Sequence, residues 1–256
     1  MKKMLLVDGY SMLFRAFYAT FYGRMMTTSK GIPTNAIYGF ANMLQKAIDL
    51  VEPDSIVVAF DAGKSTFRNE MFPEYKGTRK KAPEELVPQF QLVRDYLDAY
   101  GIKHIDQQVI EADDILGTLS KRYPEYDINI LSSDRDLLQL IDSTTSIWLM
   151  KKGISEVEEY DENRLKEELN LRPDQIIDLK SLMGDTADNI PGVPGVGEKT
   201  ALKLLEDYDN LENLLENVEQ LKGKLKEKII ENKDLALLSK KLATIKCDAE
   251  IEKDEQ

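Results

Sequence analysis

Three short apolar runs each lead into an aspartate, and this recurrence constrains the fold more than any other feature of the chain. Leu5-Leu6-Val7 runs into Asp8, Ser55-Ile56-Val57-Val58-Ala59-Phe60 into Asp61, and Ile128-Asn129-Ile130-Leu131 into Ser132-Ser133-Asp134. Each run has strand length and is bounded by polar residues. Stretches with helical spacing lie between them. Residues 34–51 carry Ile37, Phe40, Leu44 and Ile48 on one face, with Thr34 or Asn35 to cap it. Glu84 to Tyr100 reads as a helix that Gly101 stops, and Ala112 to Tyr123 as another. A strand at Ser146–Met150 and a turn at Lys151-Lys152-Gly153 follow. Strands alternating with helices predict an α/β fold with a mainly parallel, doubly wound sheet. Asp8, Asp61 and Asp134 then stand just past the carboxyl ends of the strands, the edge where open sheets form sites.

After Tyr160 the pattern turns helical, at 161–169, 174–183, 198–208, 211–217 and 223–245. The expected organisation is an α/β part over 1–160, a helical part over 161–246 and an acidic tail or linker over 247–256. With 42% hydrophobic residues, a chain of 256 can bury a sizeable core. Its one cysteine, Cys247, excludes an internal disulfide and a thiolate cluster. A catalytic triad or a His-rich zinc site would hang on the single histidine, His104, which reads as a surface or core-edge residue. Trp148 reads as core. No apolar run approaches the roughly 18 residues of a spanning helix. The signal-like start at Lys2–Val7 is ended by Asp8. A soluble protein of a reducing compartment is expected.

Nine acids form three clusters and two singles: Asp8, Asp61, Glu111-Ala112-Asp113-Asp114, Asp134-Arg135-Asp136 and Asp185-Thr186-Ala187-Asp188. Taken alone, acids in a helix's first turn merely offset its dipole, and Asp134 is an ordinary cap. Converged at one sheet edge, however, so many carboxylates need neutralising. Hard divalent cations with oxygen ligands do this, Mg²⁺ or Mn²⁺ fitting best. Two such ions roughly 3.5–4 Å apart would clamp a phosphodiester without any histidine base.

The formal charge of −12 argues against a nucleic-acid partner until its distribution is considered. Residues 64–81 hold six cations (Lys64, Arg68, Lys76, Arg79, Lys80, Lys81) against two acids. The loop Ile190-Pro191-Gly192-Val193-Pro194-Gly195-Val196-Gly197 enters a helix beginning Glu198-Lys199-Thr200, whose free amides suit a phosphate. Two phosphate-loop decoys fail: Ala62-Gly63-Lys64-Ser65 lacks a glycine at Val58, and Gly192…Gly197 is followed by Glu198 instead of lysine.

Together these segments resemble the 5′-nuclease (flap endonuclease) superfamily, most nearly the 5′→3′ exonuclease domains of bacterial DNA polymerases and their stand-alone relatives. The matching segments are Val7-Asp8-Gly9, Phe14-Arg15-Ala16, Ala59-Phe60-Asp61-Ala62-Gly63, Thr66-Phe67-Arg68, Glu74 to Arg79, Glu111 to Asp114, Asp134-Arg135-Asp136, and Met183-Gly184-Asp185 through Gly195 to Ala201. The resemblance implies a PIN-like sheet, a helical arch at about 64–100 and a helix–hairpin–helix element at about 183–208. It implies one metal on Asp8, Asp61, Glu111 and Asp113. A second would lie on Asp134, Asp136 and Asp185, with Asp114 and Asp188 in the outer shell. Arg15 would stand beside the scissile phosphate, and Lys76 and Arg79 would serve as arch cations. Tyr75 would stack on a base. Tyr10, Arg68, Lys80, Gly192, Gly195, Gly197, Lys199 and Thr200 complete the expected DNA-binding set. The implied cofactors are two Mg²⁺, with Mn²⁺ as substitute, and K⁺ at the hairpin. The implied substrate is DNA with a 5′ flap, nick or RNA primer, cut by a cytoplasmic, nucleoid-associated monomer fused to or working beside a polymerase. A non-catalytic DNA-binding module and a Mg²⁺-dependent small-molecule phosphohydrolase using Asp134/Asp136 are the rival readings.

Overall fold

The computed structural model describes residues 1–22, 25–62, 66–151 and 156–252. Lys64, the decoy Gly63-Lys64-Ser65, Lys152 and Gly153 of the expected turn, and 253–256 of the expected tail lie outside these. In chain order the elements are β1 (Lys2–Asp8), α1 (Gly9–Thr20), α2 (Asn35–Val51), β2 (Ser55–Asp61), α3 (Phe67–Met71), α4 (Gln89–Ala99), β3 (Lys103–Gln107), α5 (Ala112–Arg122), β4 (Tyr126–Ser132), β5 (Thr145–Met150) and β6 (Val157–Tyr160). Then come α6 (Glu162–Leu169), α7 (Gln175–Met183), α8 (Glu198–Tyr208), α9 (Leu211–Glu216), α10 (Gly223–Glu231) and α11 (Lys233–Ala243).

The chain divides into two compact units, and neither is contiguous in sequence. The α/β unit takes Met1–Thr66, Lys81–Arg164 and Lys246–Gln256; the helical unit takes Phe67–Lys80 and Leu165–Ile245. The stretch expected as one arch is therefore shared. Residues 67–80 belong with the helices, whereas Leu86, Val93 and Leu97 sit in the core of the α/β unit.

The α/β unit is built on one sheet in the order β3-β2-β1-β4-β5-β6. All neighbours pair in parallel except β5 and β6, which are antiparallel. Leu5 and Val7 of β1, Val58 and Phe60 of β2 and Leu131 of β4 join α1, α2 and α4 in a single core. Alternation along a strand turns Leu6, Val57 and Ala59 to the other face, and α5 packs against β1 and β2. The chain moves outward from β1 through β2 to β3, then crosses back to lay β4 on the other side of β1. The order thus reverses between β1 and β4, the crevice where doubly wound sheets bind ligands.

Two expected helices are corrected, and two strands were not expected. The helix expected from Glu84 begins only at Gln89. Pro88 disfavours helical backbone in the residue before it, and the Gln89 side chain is committed elsewhere. Its Oε1 accepts the Ala36 and Ile37 amides at 2.7 and 3.1 Å. These are orphan donors of α2, whose own Thr34 makes no side-chain cap bond. The helix expected over 223–245 is two helices. Asn232 interrupts it, turning both its amide and its Nδ2 onto the Lys228 carbonyl. The strands do end at Tyr160, as expected, but β3 and β6 themselves had no counterpart among the expected strands. No described helix is long and apolar enough to cross a membrane.

In the helical unit, Gly192 sits at φ 61°, and a Cβ there would lie 2.2 Å from the Gly184 amide nitrogen. Only glycine permits the hairpin between α7 and α8 to close so tightly.

Candidate functional site

The acids of the α/β unit are delivered to the sheet's carboxyl edge by the strands and then fixed by local donors. Asp8 ends β1 and caps α1, accepting the Ser11 amide at 3.1 Å. Gly9 follows because any side chain there would strike the Phe60 ring. From across the switch point, Ser132 of β4 donates its hydroxyl to Asp8 at 2.7 Å and accepts the Asp134 amide at 3.0 Å. Asp134 in turn accepts the Asp136 amide at 2.9 Å, capping a short 3₁₀ turn at Arg135–Leu140. On the other side of β1, Asp61 accepts the Ala112 amide at 2.8 Å, which fastens the start of α5 to the end of β2. Glu111, the cap residue of α5, accepts the Thr66 hydroxyl at 3.1 Å. A line of hydrogen bonds thus joins Asp134, Ser132 and Asp8 across the switch point, and a separate one joins Asp61 to the turn that carries Glu111, Asp113 and Asp114.

Burial pushes the Asp8 carboxyl up from its ordinary 3.8 to about 7. The bonds from Ser132 and Ser11 pull it down, while the charges of Asp61 and Asp134 raise it further. Among the described residues no ion pair reaches Asp8 or Asp61. This all-oxygen donor set suits a hard divalent cation. The acids are nevertheless not closed into a finished cage: among the described residues, no three Asp, Glu, His or Cys side chains converge tightly enough to hold an ion.

Asp114 is buried, and one oxygen accepts the Lys246 amide at 2.8 Å. Arg15, on α1, donates to the Lys151 carbonyl at 2.6 Å, and burial lowers its pKa. Tyr10 packs its ring edge-on to Phe60 and Phe90, and its hydroxyl accepts from Arg94 at 3.2 Å. His104 lies in β3 beside Asp98, and Trp148 donates to Asn129 from β5.

The remaining acids lie in the helical unit. Asp185 is ion-paired with Lys180 and accepts the Ala187 and Asp188 amides. Burial pushes its pKa up, but Lys180 and the two amides outweigh burial and hold it below the ordinary value. Asp188 accepts from Arg79 at 2.6 Å and from the Tyr75 hydroxyl at 3.3 Å, with the Lys76 ammonium at 3.9 Å. Two expected DNA-binding residues are corrected here. Arg68 is 2% exposed and donates to the Leu242 and Thr244 carbonyls, the orphan acceptors at the end of α11. Tyr75 is 4% exposed and packs against Ile190 and Leu242, so its ring is not available for stacking. Gly192 is buried and its amide is taken by the Ser239 hydroxyl, whereas Gly195, Gly197, Lys199 and Lys80 are exposed.

Two family models match the chain end to end. The N-terminal resolvase-like domain of 5′-3′ exonucleases covers residues 3–170 and their C-terminal SAM fold covers 171–256. The chain belongs to the 5′-3′ exonuclease family. It is 42% identical to the 5′-3′ exonuclease of Bacillus subtilis over 247 residues, which is 96% of this chain and 83% of that protein. It is 50% identical to DNA polymerase I of Bacillus subtilis over 254 residues, 98% of this chain. It spans only 28% of that polymerase's length. Among solved structures, T5 5′-exonuclease with bound zinc superimposes with a TM-score of 0.77 at 25% identity, covering 96% of this chain and 90% of that one.

Several residues that shape the site gave no signal of their own in the sequence. Ser132 and Thr66 are plain hydroxyls next to acids, and Lys180 is one lysine among many. The pairing of Lys76 and Arg79 with Asp188 spans more than 100 positions.

Proposed function

We propose that this chain is a structure-specific 5′→3′ nuclease, hydrolysing phosphodiesters at 5′ flaps, nicks or RNA primers during DNA replication and repair. The observation that supports this reading is the common edge on which Asp8, Asp61, Glu111 and Asp134 stand, around the switch point of the sheet. Asp8, Asp61, Glu111 and Asp113 would hold one divalent cation, and Asp134 and Asp136 a second; Mg²⁺ is the expected ion and Mn²⁺ its substitute. When bound, such ions supply Lewis acidity and a water of lowered pKa. The chain's own groups do the rest. Ser132 and the Ala112 amide orient Asp8 and Asp61. Arg15, tethered to the Lys151 carbonyl, offers a fixed positive charge on α1. The exposed Lys199 and the start of α8 offer the duplex backbone amides and a cation, with K⁺ as an added ligand there.

Phosphate contacts position without reading sequence, so selection is by shape and weakens steeply with salt. Such an enzyme acts as a monomer in the cytoplasm, at the nucleoid, beside or within a polymerase. The test is a 5′-labelled flap incubated with and without Mg²⁺. Release of short labelled products in Mg²⁺, none in chelator, and poor cutting of blunt duplex are expected. A chain that binds flaps but never cuts them would be a DNA-binding module instead.

A further inference from the structure

The segment expected to be an acidic tail is bound to the α/β unit by a regular set of bonds. The amides of Lys246, Ala249 and Glu252, three residues apart, are each accepted by a side chain: Asp114 at 2.8 Å, Thr118 at 3.0 Å and Gln107 at 2.9 Å. Two return bonds double the attachment. Thr118 donates its hydroxyl to the Lys246 carbonyl at 3.3 Å, and Gln107 donates its Nε2 to the Glu250 carbonyl at 2.8 Å. Ala249 and Ile251 are buried between these anchors. Asp114 and Thr118 are four residues apart, one above the other on a single face of α5, and Gln107 ends β3. The segment thus runs from the first turn of α5 to the edge of the sheet.

That first turn also carries Glu111 and Asp113. We propose that residues 246–252 are a strap that sets the position of the α5 first turn, and that Thr118 and Gln107 are positioning residues for its carboxylates. This rests on the metal reading above. The strap amide at Asp114 fixes a carboxylate one residue from Asp113, while the Thr118 and Gln107 bonds fix the strap. Groups that orient metal-binding carboxylates affect ion affinity without touching the ion. Neither Thr118 nor Gln107 is an acid, so their loss removes no charge from the site.

The experiment compares the full chain with Thr118→Val, Gln107→Ala and the conservative Thr118→Ser. Three quantities are measured: hydrogen exchange of the 246–252 amides, Mg²⁺ affinity by calorimetry, and the Mg²⁺ concentration giving half-maximal flap cleavage. Thr118→Val and Gln107→Ala are expected to speed exchange across 246–252 and to weaken Mg²⁺ binding by about 10-fold, with Thr118→Ser close to the unsubstituted chain. Gln107→Ala lies at an exposed edge and leaves the core intact, so it serves if Thr118→Val folds poorly. Faster exchange with unchanged Mg²⁺ affinity would overturn the strap's role, as would unchanged exchange in both variants. Failure of the unsubstituted chain to bind Mg²⁺ at all would instead sink the metal reading, and the strap with it.

Discussion

Asp8 and Asp61 in the α/β unit and Asp185 and Asp188 in the helical unit are acids of the same kind held in opposite ways. The first pair is bound by neutral donors, the Ser132 hydroxyl and the Ser11 and Ala112 amides. The second pair is neutralised from within, Asp185 by Lys180 and Asp188 by Arg79 with Lys76 nearby. The pKa directions follow: Asp8 is driven up to about 7, Asp185 held down. A carboxylate group left without a protein cation beside other carboxylates is suited to receive one from solution. A carboxylate already paired has its charge offset from within its own unit.

Three experiments bear on this contrast. The largest effect is expected from Asp61→Asn or Asp113→Asn, which should lower flap cleavage by about 10³-fold or more while flap binding in Ca²⁺ changes little. Equal losses of binding and cleavage would break the contrast, because the acids would then be ordinary supports.

The second effect depends on pH. Because the folded pKa of Asp8 lies above its ordinary value, the folded protein binds the extra proton between about 4 and 7. The contribution is fully present below about pH 4 and is lost as pH rises through about 7. In chelator the protein should therefore melt higher at pH 5 than at pH 8. The loss is on the order of 3 kcal/mol, or roughly 5–10 °C. Asp8→Asn, whose amide keeps an acceptor for Ser11, should flatten that slope and raise the melting temperature at pH 8 while abolishing cleavage. A slope unchanged by Asp8→Asn would place its origin elsewhere.

The smallest effect belongs to the helical unit. Lys180→Met strips Asp185 of its counter-charge and should cost about 1–2 kcal/mol at pH 7. Asp185 has a lowered folded pKa, so its contribution is present above its ordinary value and is lost as pH falls through the lower one. The variant and the parent should therefore converge in denaturation curves as pH falls below the ordinary carboxylate range, and Mg²⁺ should not rescue the difference at pH 7. Rescue by Mg²⁺ would make Asp185 resemble Asp8 after all.

What could be read from the sequence is what local pattern encodes. β1, β2, β4 and β5 are apolar runs, and the acids at the ends of β1 and β2 and past β4 were legible because the runs stop at them. β3, Lys103-His104-Ile105-Asp106-Gln107, is an edge strand with one aliphatic residue, and β6 is a short Val-Glu-Glu-Tyr edge. Neither has the apolar content that marks a buried strand. Gln89 looked like a helical residue and turned out to cap a different helix. The basic stretch 64–81 showed its charge but not its partners, because composition does not reveal them. Asp188, Leu242 and Thr244, which hold Arg79 and Arg68, lie far along the chain. Long-range pairings of this sort have no periodic signature. The same holds for Lys246, Ala249 and Glu252, whose polar and acidic surroundings suggested solvent.

Neither unit is a continuous piece of chain, and this orders events during synthesis. When residue 164 leaves the ribosome, the sheet is complete but the backbone donors that satisfy Asp114, Thr118 and Gln107 have not yet been made. Residues 67–80 likewise wait for Asp188 and the end of α11. The α/β unit therefore finishes only after the helical unit has been translated, so a nascent chain halted between them carries acceptors on α5 with water, and not backbone, as their partner.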